Sequence, residues 1–137
     1  MSSEKTTDVV TAFVVRDGRV LLLRRSSHVG SYQGRWAGVS GFLEESSAER
    51  QARVEIFEEL GFSGEQIELE RSGDPLEVLD EELGRRWRVH PFRFRLAPGA
   101  QPRLDWEHVE LRWAEPREID RLETVPALGE AWRRVAP

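Results

Sequence analysis

One helix does most to decide what this chain can be. From Ser46 the sequence SSAERQARVEIFEELGF carries apolar residues at helical spacing. A Ser46-x-x-Glu49 capping box opens it, and Gly61 closes it as the residue type that takes a left-handed C-terminal cap. Such a helix sets Glu55, Glu58 and Glu59 on one stripe, related by i,i+3 and i,i+4, with neighbouring side chains about 5–6 Å apart. Two unit charges about 6 Å apart repel by roughly 0.7 kcal/mol in water and about 3 kcal/mol at an effective dielectric near 20. The residues three and four positions away are Gln51, Ala52, Val54, Ile56, Gly61, Phe62 and Ser63, none of them basic. Glu49, by contrast, has Arg53 four residues on, in the ordinary stabilising order. A solvated acidic face is the bland explanation. The alternatives are an Arg from elsewhere, raised carboxyl pKa values, or a divalent cation on hard oxygen ligands. Magnesium suits this cluster best, because it also bridges carboxylates to phosphate oxygens.

The rest of the chain reads as strands around that helix. Val9 to Val15 and Arg19 to Arg25 flank Asp17-Gly18, a strong hairpin signal. Ser26 to Gly34 reads as a loop leading into a strand from about Trp36 to Leu43, where Gly38 and Gly41 allow close backbone approach. Ile67 to Arg71, Pro75 to Leu79 and Arg85 to Leu96 are further strands. In the last, Phe92, Phe94 and Leu96 share a parity that Trp87 and Val89 do not, which predicts a bulge or an edge strand at His90-Pro91. Val109 to Trp113 reads as a short strand, and Pro116 to Leu122 and Pro126 to Val135 as helices, the latter amphipathic. Mixed strands with a central and a terminal helix predict a layered α/β or α+β sandwich.

Composition narrows the chemistry. A length of 137 residues, 39% of them hydrophobic and five of them Trp, is one domain with a real core. The absence of Cys excludes disulfides, thiolate metal sites and cysteine nucleophiles. A net charge of −5 argues against a nucleic-acid polymer as partner, because phosphate-backbone binding needs a broad basic surface. With no long apolar run and a polar start, the chain is expected in the cytoplasm and off the membrane. The basic residues are Arg apart from Lys5, and Arg suits bidentate phosphate contacts. His28, His90 and His108 show no ligand spacing and are assigned no metal. Trp36 or Trp87 is a candidate for stacking on a base.

The stretch GFLEESSAERQARVEIFEELGF, from Gly41 to Phe62, resembles the Nudix box, G-x5-E-x7-R-E-U-x-E-E-x-G-U with U a bulky aliphatic. The run from Glu55 to Phe62 supplies its second half. RVLLLRRS before the box and EHVELRWAEPREI near the end resemble the family's second strand and its late strand-to-helix segment. The resemblance implies an α/β fold: a Nudix-type α/β/α sandwich with a mixed, curved β-sheet, a central catalytic helix and a C-terminal helix. It places a single domain at 7–137 behind a flexible N-terminus at 1–6. It also implies a Mg2+-dependent hydrolase, with Mn2+ as a substitute, that cleaves the diphosphate bond of a nucleoside diphosphate derivative or a nucleoside triphosphate. By position, Glu58 and Glu59 are metal ligands, Glu55 is a third ligand or a base, and Gly41 offers its carbonyl. Glu107 is the first candidate for a base on a later loop and Glu110 the second. Arg25 is the leading phosphate contact, ahead of Arg24 and Arg35. The partner is a small nucleotide-like molecule, and a homodimer through the edge strand expected near His90 is compatible with the family. Two departures stand out. Val54 occupies the place of the family's Arg, and Ser46 that of its earlier Glu unless Glu44 or Glu45 substitutes from a shortened loop. They define the alternative, a catalytically silent Nudix-fold nucleotide-binding or regulatory module.

Overall fold

The computed structural model describes residues 6–137. Of the terminus expected to be flexible, residues 1–5 lie outside the described residues. Thr6 already belongs to strand β1 (Thr6–Arg16), which turns at Asp17-Gly18 into β2 (Arg19–Arg25). Both turn residues have positive φ, 53° and 75°, as the tight hairpin turn between twisted strands requires.

The segment expected as one strand from Trp36 is two. β3 (Trp36–Ala37) pairs with β2, then β4 (Val39–Phe42) pairs antiparallel with the first half of β1, Val9 opposite Phe42 and Ala12 opposite Val39. The chain changes partner at Gly38, where a Cβ would stand 3.0 Å from the Ala12 carbonyl oxygen. Helix α1 (Ala48–Leu60) follows. Its N-cap is Ser47, not Ser46, and the Ser47 hydroxyl accepts from the Arg50 N–H. The expected capping box is therefore absent, while Gly61 takes the left-handed cap at φ 82°.

β5 (Ile67–Ser72), β6 (Leu76–Asp80), β7 (Arg85–Leu96) and β8 (His108–Ala114) complete the sheet. β7 runs parallel to β1 along nearly its whole length, from Thr6 opposite Arg86 to Val15 opposite Arg95. This register passes through Thr11 opposite Pro91 without interruption, so the bulge expected at His90-Pro91 does not form. On the other edge of β7, β6 pairs up to Val89 and β5 from Phe92 onward. Pro91 lies in the gap between these partners, where its missing N–H costs no ladder bond. Its carbonyl accepts from Gly73 N–H at 3.0 Å. β7 is therefore an interior strand, and the edge expected near His90 is not available for a dimer.

The parity change along β7 has a simpler cause: both faces of the sheet are covered. Phe92, Phe94 and Leu96 pack with Ala52, Ile56 and Leu60 of α1. Val89, on the other parity, packs toward the core under helix α2 (Leu128–Val135). The expected helix at 116–122 is a 3₁₀ helix, Pro116–Arg121, and α2 begins two residues later than expected. The result is an α/β sandwich whose mixed sheet lies between α1 on one face and the 3₁₀ helix with α2 on the other. Among the described residues no helix is long and apolar enough to cross a membrane.

Candidate active site

Because β1 abandons β2 for β4 halfway along its length, the sheet splits and a cleft of about 510 Å³ opens there. Three chain segments bring carboxylates to one end of it: Glu55 from α1, Glu44 from the loop before it, and Glu107 from the loop before β8. Gly41 lies directly under Glu55, where any Cβ would overlap the carboxylate. Gly41 and Glu55 are thus in contact, and a side chain at position 41 would require the Glu55 carboxylate to move.

The carboxylate stripe of α1 is real, but its members meet three environments. Glu55 is half-buried, Glu58 is exposed, and Glu59 is buried with 3% exposure. Burial, then the charges of Glu58 and Glu107 with a hydrogen bond that the protonated Glu55 donates to Glu58, pushes the Glu55 carboxyl up to about 7. Glu44 adds to the same shift. The Glu59 carboxyl is pushed well above its ordinary value, first by burial and then by Glu55, Glu107 and Asp105, against one stabilising hydrogen bond from the Ser40 backbone. This field is what uncompensated, partly desolvated carboxylates produce.

Arg25 is the one of the three candidate arginines that lines the cleft. Its Nε donates to the Ser31 carbonyl at 2.9 Å. Burial lowers its pKa, and Glu107 and Glu59 pull it back, so this cation faces the acidic end. Arg24 is turned to Glu110 at 3.4 Å, which removes Arg24 and the second base candidate from the cleft together. Arg35 donates to the Thr124 carbonyl and lies over the Tyr32 ring, also off the cleft lining. Trp36 is packed in the core beneath α2 and is unavailable for stacking. Trp87 lines the cleft, its ring 6.0 Å from that of Phe42.

Several contributing residues carried no sequence signal. His108 faces Glu59 at 3.6 Å through Nε2, and its Nδ1 lies 2.8 Å from Asp105. An Asp-x-x-His spacing was legible but says nothing of the helix it meets. Asp80 is buried where the cleft wall meets the β6–β7 turn. Burial alone would raise its pKa, but hydrogen bonds from Tyr32, Trp87 and the Leu83 and Glu82 backbone hold it below the ordinary value. The Tyr32 hydroxyl, 2.5 Å from Asp80, ties the 26–35 loop across the cleft to that turn, and the same contact with burial raises the tyrosine pKa.

The residues that would hold a hard divalent cation are the Glu55 carboxylate, which lies against Gly41, with Glu58 and Glu59 on the same stripe of α1. Among the described residues no group of three or more His, Cys, Asp or Glu side chains is arranged to hold a metal ion by itself. Magnesium does not demand one, since it takes one or two carboxylates and fills the remaining positions with water and phosphate oxygens.

Comparison with known proteins agrees with this geometry. The NUDIX domain model matches residues 5–135. The CTP pyrophosphohydrolase of Escherichia coli (strain K12) is 31% identical over 130 residues, covering 90% of this chain and 86% of that protein. Among solved structures, the MutT protein from Methanosarcina mazei Go1 has a TM-score of 0.77 at 22% identity, with 98% of this chain and 95% of that one covered. A MutT NUDIX hydrolase from Burkholderia pseudomallei has a TM-score of 0.71 at 25% identity, with 97% and 100% covered.

Proposed function

The chain belongs to the Nudix family of hydrolases, and on that premise we propose that it is a magnesium-dependent enzyme cleaving a diphosphate bond of a nucleoside triphosphate. The observation that carries this reading is the convergence of Glu55, Glu44 and Glu107 from three separate segments on one cleft, with Glu55 lying against Gly41 and its carboxyl raised to about 7 by burial and by its acidic neighbours. The similarity to a CTP pyrophosphohydrolase favours a triphosphate over a nucleotide joined to another group.

Glu55 and Glu59, with the Gly41 carbonyl, would hold the metal, and Glu58 supports Glu55 through their hydrogen bond. When bound, Mg2+ or Mn2+ supplies Lewis-acid polarisation of the phosphoryl oxygens and a lowered pKa for the attacking water. Glu107, across the cleft from α1, is the base that takes the water's proton, and Glu55 is the second choice. Arg25 balances charge on the phosphate chain. The apolar end of the cleft, with Trp87, Phe42 and Val89, gives the nucleobase a flat, weakly hydrated surface. We propose the cytoplasm, which holds such substrates, as its compartment.

The test is mononucleotide and pyrophosphate release from a panel of nucleoside triphosphates, nucleotide sugars and dinucleotides, with Mg2+ or Mn2+ and with EDTA. We expect triphosphates to be turned over and EDTA to abolish it. Metal binding without turnover across the panel would replace this reading with the silent binding module.

A further inference from the structure

The loop that carries Glu44 into the cleft, between β4 and α1, is held by a buried, neutral side chain. Gln51, in the first turns of α1, is 4% exposed. Its Oε1 accepts from the backbone N–H groups of both Glu44 and Glu45, each at 2.8 Å. The same stretch is pinned on either side, by Leu43 N–H donating to the Asp8 carbonyl at 3.0 Å and by the Ser47 cap on Arg50. The two amides so fixed belong to residues with different fates. Glu45 turns outward to Arg50 at 3.4 Å, whereas Glu44 lines the cleft and adds its charge to the field on Glu55.

We infer that Gln51 is the positioning residue of this site, an uncharged clasp that fixes the loop between β4 and α1 so that the Glu44 carboxylate stays in the cleft beside Glu55. The inference rests on the metal-dependent reading above and gives that site a specific support. Neutrality is the point of the arrangement. One amide oxygen satisfies both backbone donors without a buried ion. A cation in the same place would offset the very carboxylates that must attract the metal. With Val54 one turn further along α1 and no basic residue three or four positions from the acidic trio, the loop is ordered and the acidic field is left entire. Supports of this kind, one step removed from the metal, typically change metal affinity or activity by about 10–100-fold when removed.

Gln51→Met and Gln51→Glu separate this role from packing. Met matches the shape of Gln without an acceptor, and Glu keeps an acceptor oxygen for both amides while introducing a buried charge. Direct Mn2+ titration, and hydrogen exchange at the Glu44 and Glu45 amides, are measured on the full chain without substrate, alongside turnover against metal concentration. The positioning role predicts that Gln51→Met weakens Mn2+ binding about 10-fold or more and exposes both amides to exchange, while Gln51→Glu preserves both properties. A packing role gives the opposite order, Met tolerated and Glu damaging, and that result overturns the inference. So does wild-type Mn2+ affinity in Gln51→Met. If Gln51→Met fails to fold, Gln51→Asn withdraws the acceptor by one methylene and is read the same way. Should the wild-type protein turn over nothing while the Mn2+ order holds, the catalytic reading falls and the clasp stands.

Discussion

Helices α1 and α2 cover opposite faces of one sheet and follow different rules. α2 buries Leu128, Ala131, Trp132 and Val135 along one stripe and keeps Arg133 and Arg134 outside, so its amphipathic pattern is complete and its role is packing. α1 buries Ala52, Ile56 and Leu60 but interrupts the same inward side with Gln51 and Glu59, and leaves Phe57 exposed. It gives up amphipathic order and local electrostatic balance at the positions where the cleft needs an acceptor and carboxylates. A helix that breaks its own pattern without internal compensation marks a functional surface.

The largest effect that would test this contrast is on turnover. Glu55→Gln or Glu59→Gln in α1 should lower kcat by roughly 10³-fold, about 4 kcal/mol, the scale of losing a group that acts on the reacting centre. Either change should at the same time raise the melting temperature of the metal-free protein, because it relieves repulsion and buries no charge. Unchanged turnover in both variants would remove α1 from the chemistry.

In α2 the damage should fall on stability alone. Trp132 packs edge-on against Phe13 of β1, ring centroids 5.3 Å apart. Trp132→Ala should cost about 3–5 kcal/mol of unfolding free energy, read from denaturant midpoints, and leave kcat per folded molecule intact. A kcat loss with stability preserved would mean that the two faces are coupled.

The contrast also governs how much was legible beforehand. The Asp17-Gly18 hairpin, the extent of β2 and β7 and the Gly61 cap follow from local rules, since turn chemistry and helical spacing act over a few residues, whereas the place of Gly41 beside the acidic helix was implied by the resemblance to the Nudix box. The parallel pairing of β1 with β7 joins residues some eighty positions apart and has no local trace. Without it, Pro91 could only be read as a strand breaker. The same blindness affected the site. Alternation along β2 put Arg24 and Arg25 on opposite faces and ranked Arg25 first, but that Arg24 meets Glu110 while Arg25 lines the cleft depends on the β2–β8 pairing. Gln51 entered the sequence reading only as a non-basic neighbour of the acidic trio, because its partners are backbone amides, which have no identity in a sequence.

A smaller effect should appear in the pH dependence of metal-free stability. Glu55 binds its proton more tightly when folded, with its pKa up from 4.5 to about 7, and Glu59 shifts the same way. Between those values the native state holds more protons than the unfolded one, so stability falls as pH rises through this window. Saturating Mg2+ should reverse the loss, adding about 2.7 kcal/mol at a hundred times its Kd. The gain in melting temperature on adding Mg2+ should therefore be larger at pH 8 than at pH 5. An equal gain at both would show that the cation does not bind at these carboxylates.

The smallest effect belongs to the charges of α2. Arg133 reaches Asp120 of the 3₁₀ helix at 3.3 Å, with side chains 59% and 64% exposed. Water and salt screen such a pair, and fixing two long side chains costs entropy, so its net contribution is about 0–1 kcal/mol. Arg133→Ala should shift the denaturant midpoint barely beyond error and leave both kcat and metal dependence unchanged. Glu58 in α1 is also exposed, yet its hydrogen bond to Glu55 ties it to the site, so Glu58→Gln should lower turnover while altering stability as little as Arg133→Ala does. If the two variants behave alike in turnover as well, exposure alone would set the importance of a charge in this protein. The distinction between a packing helix and a working helix would then hold only for buried positions.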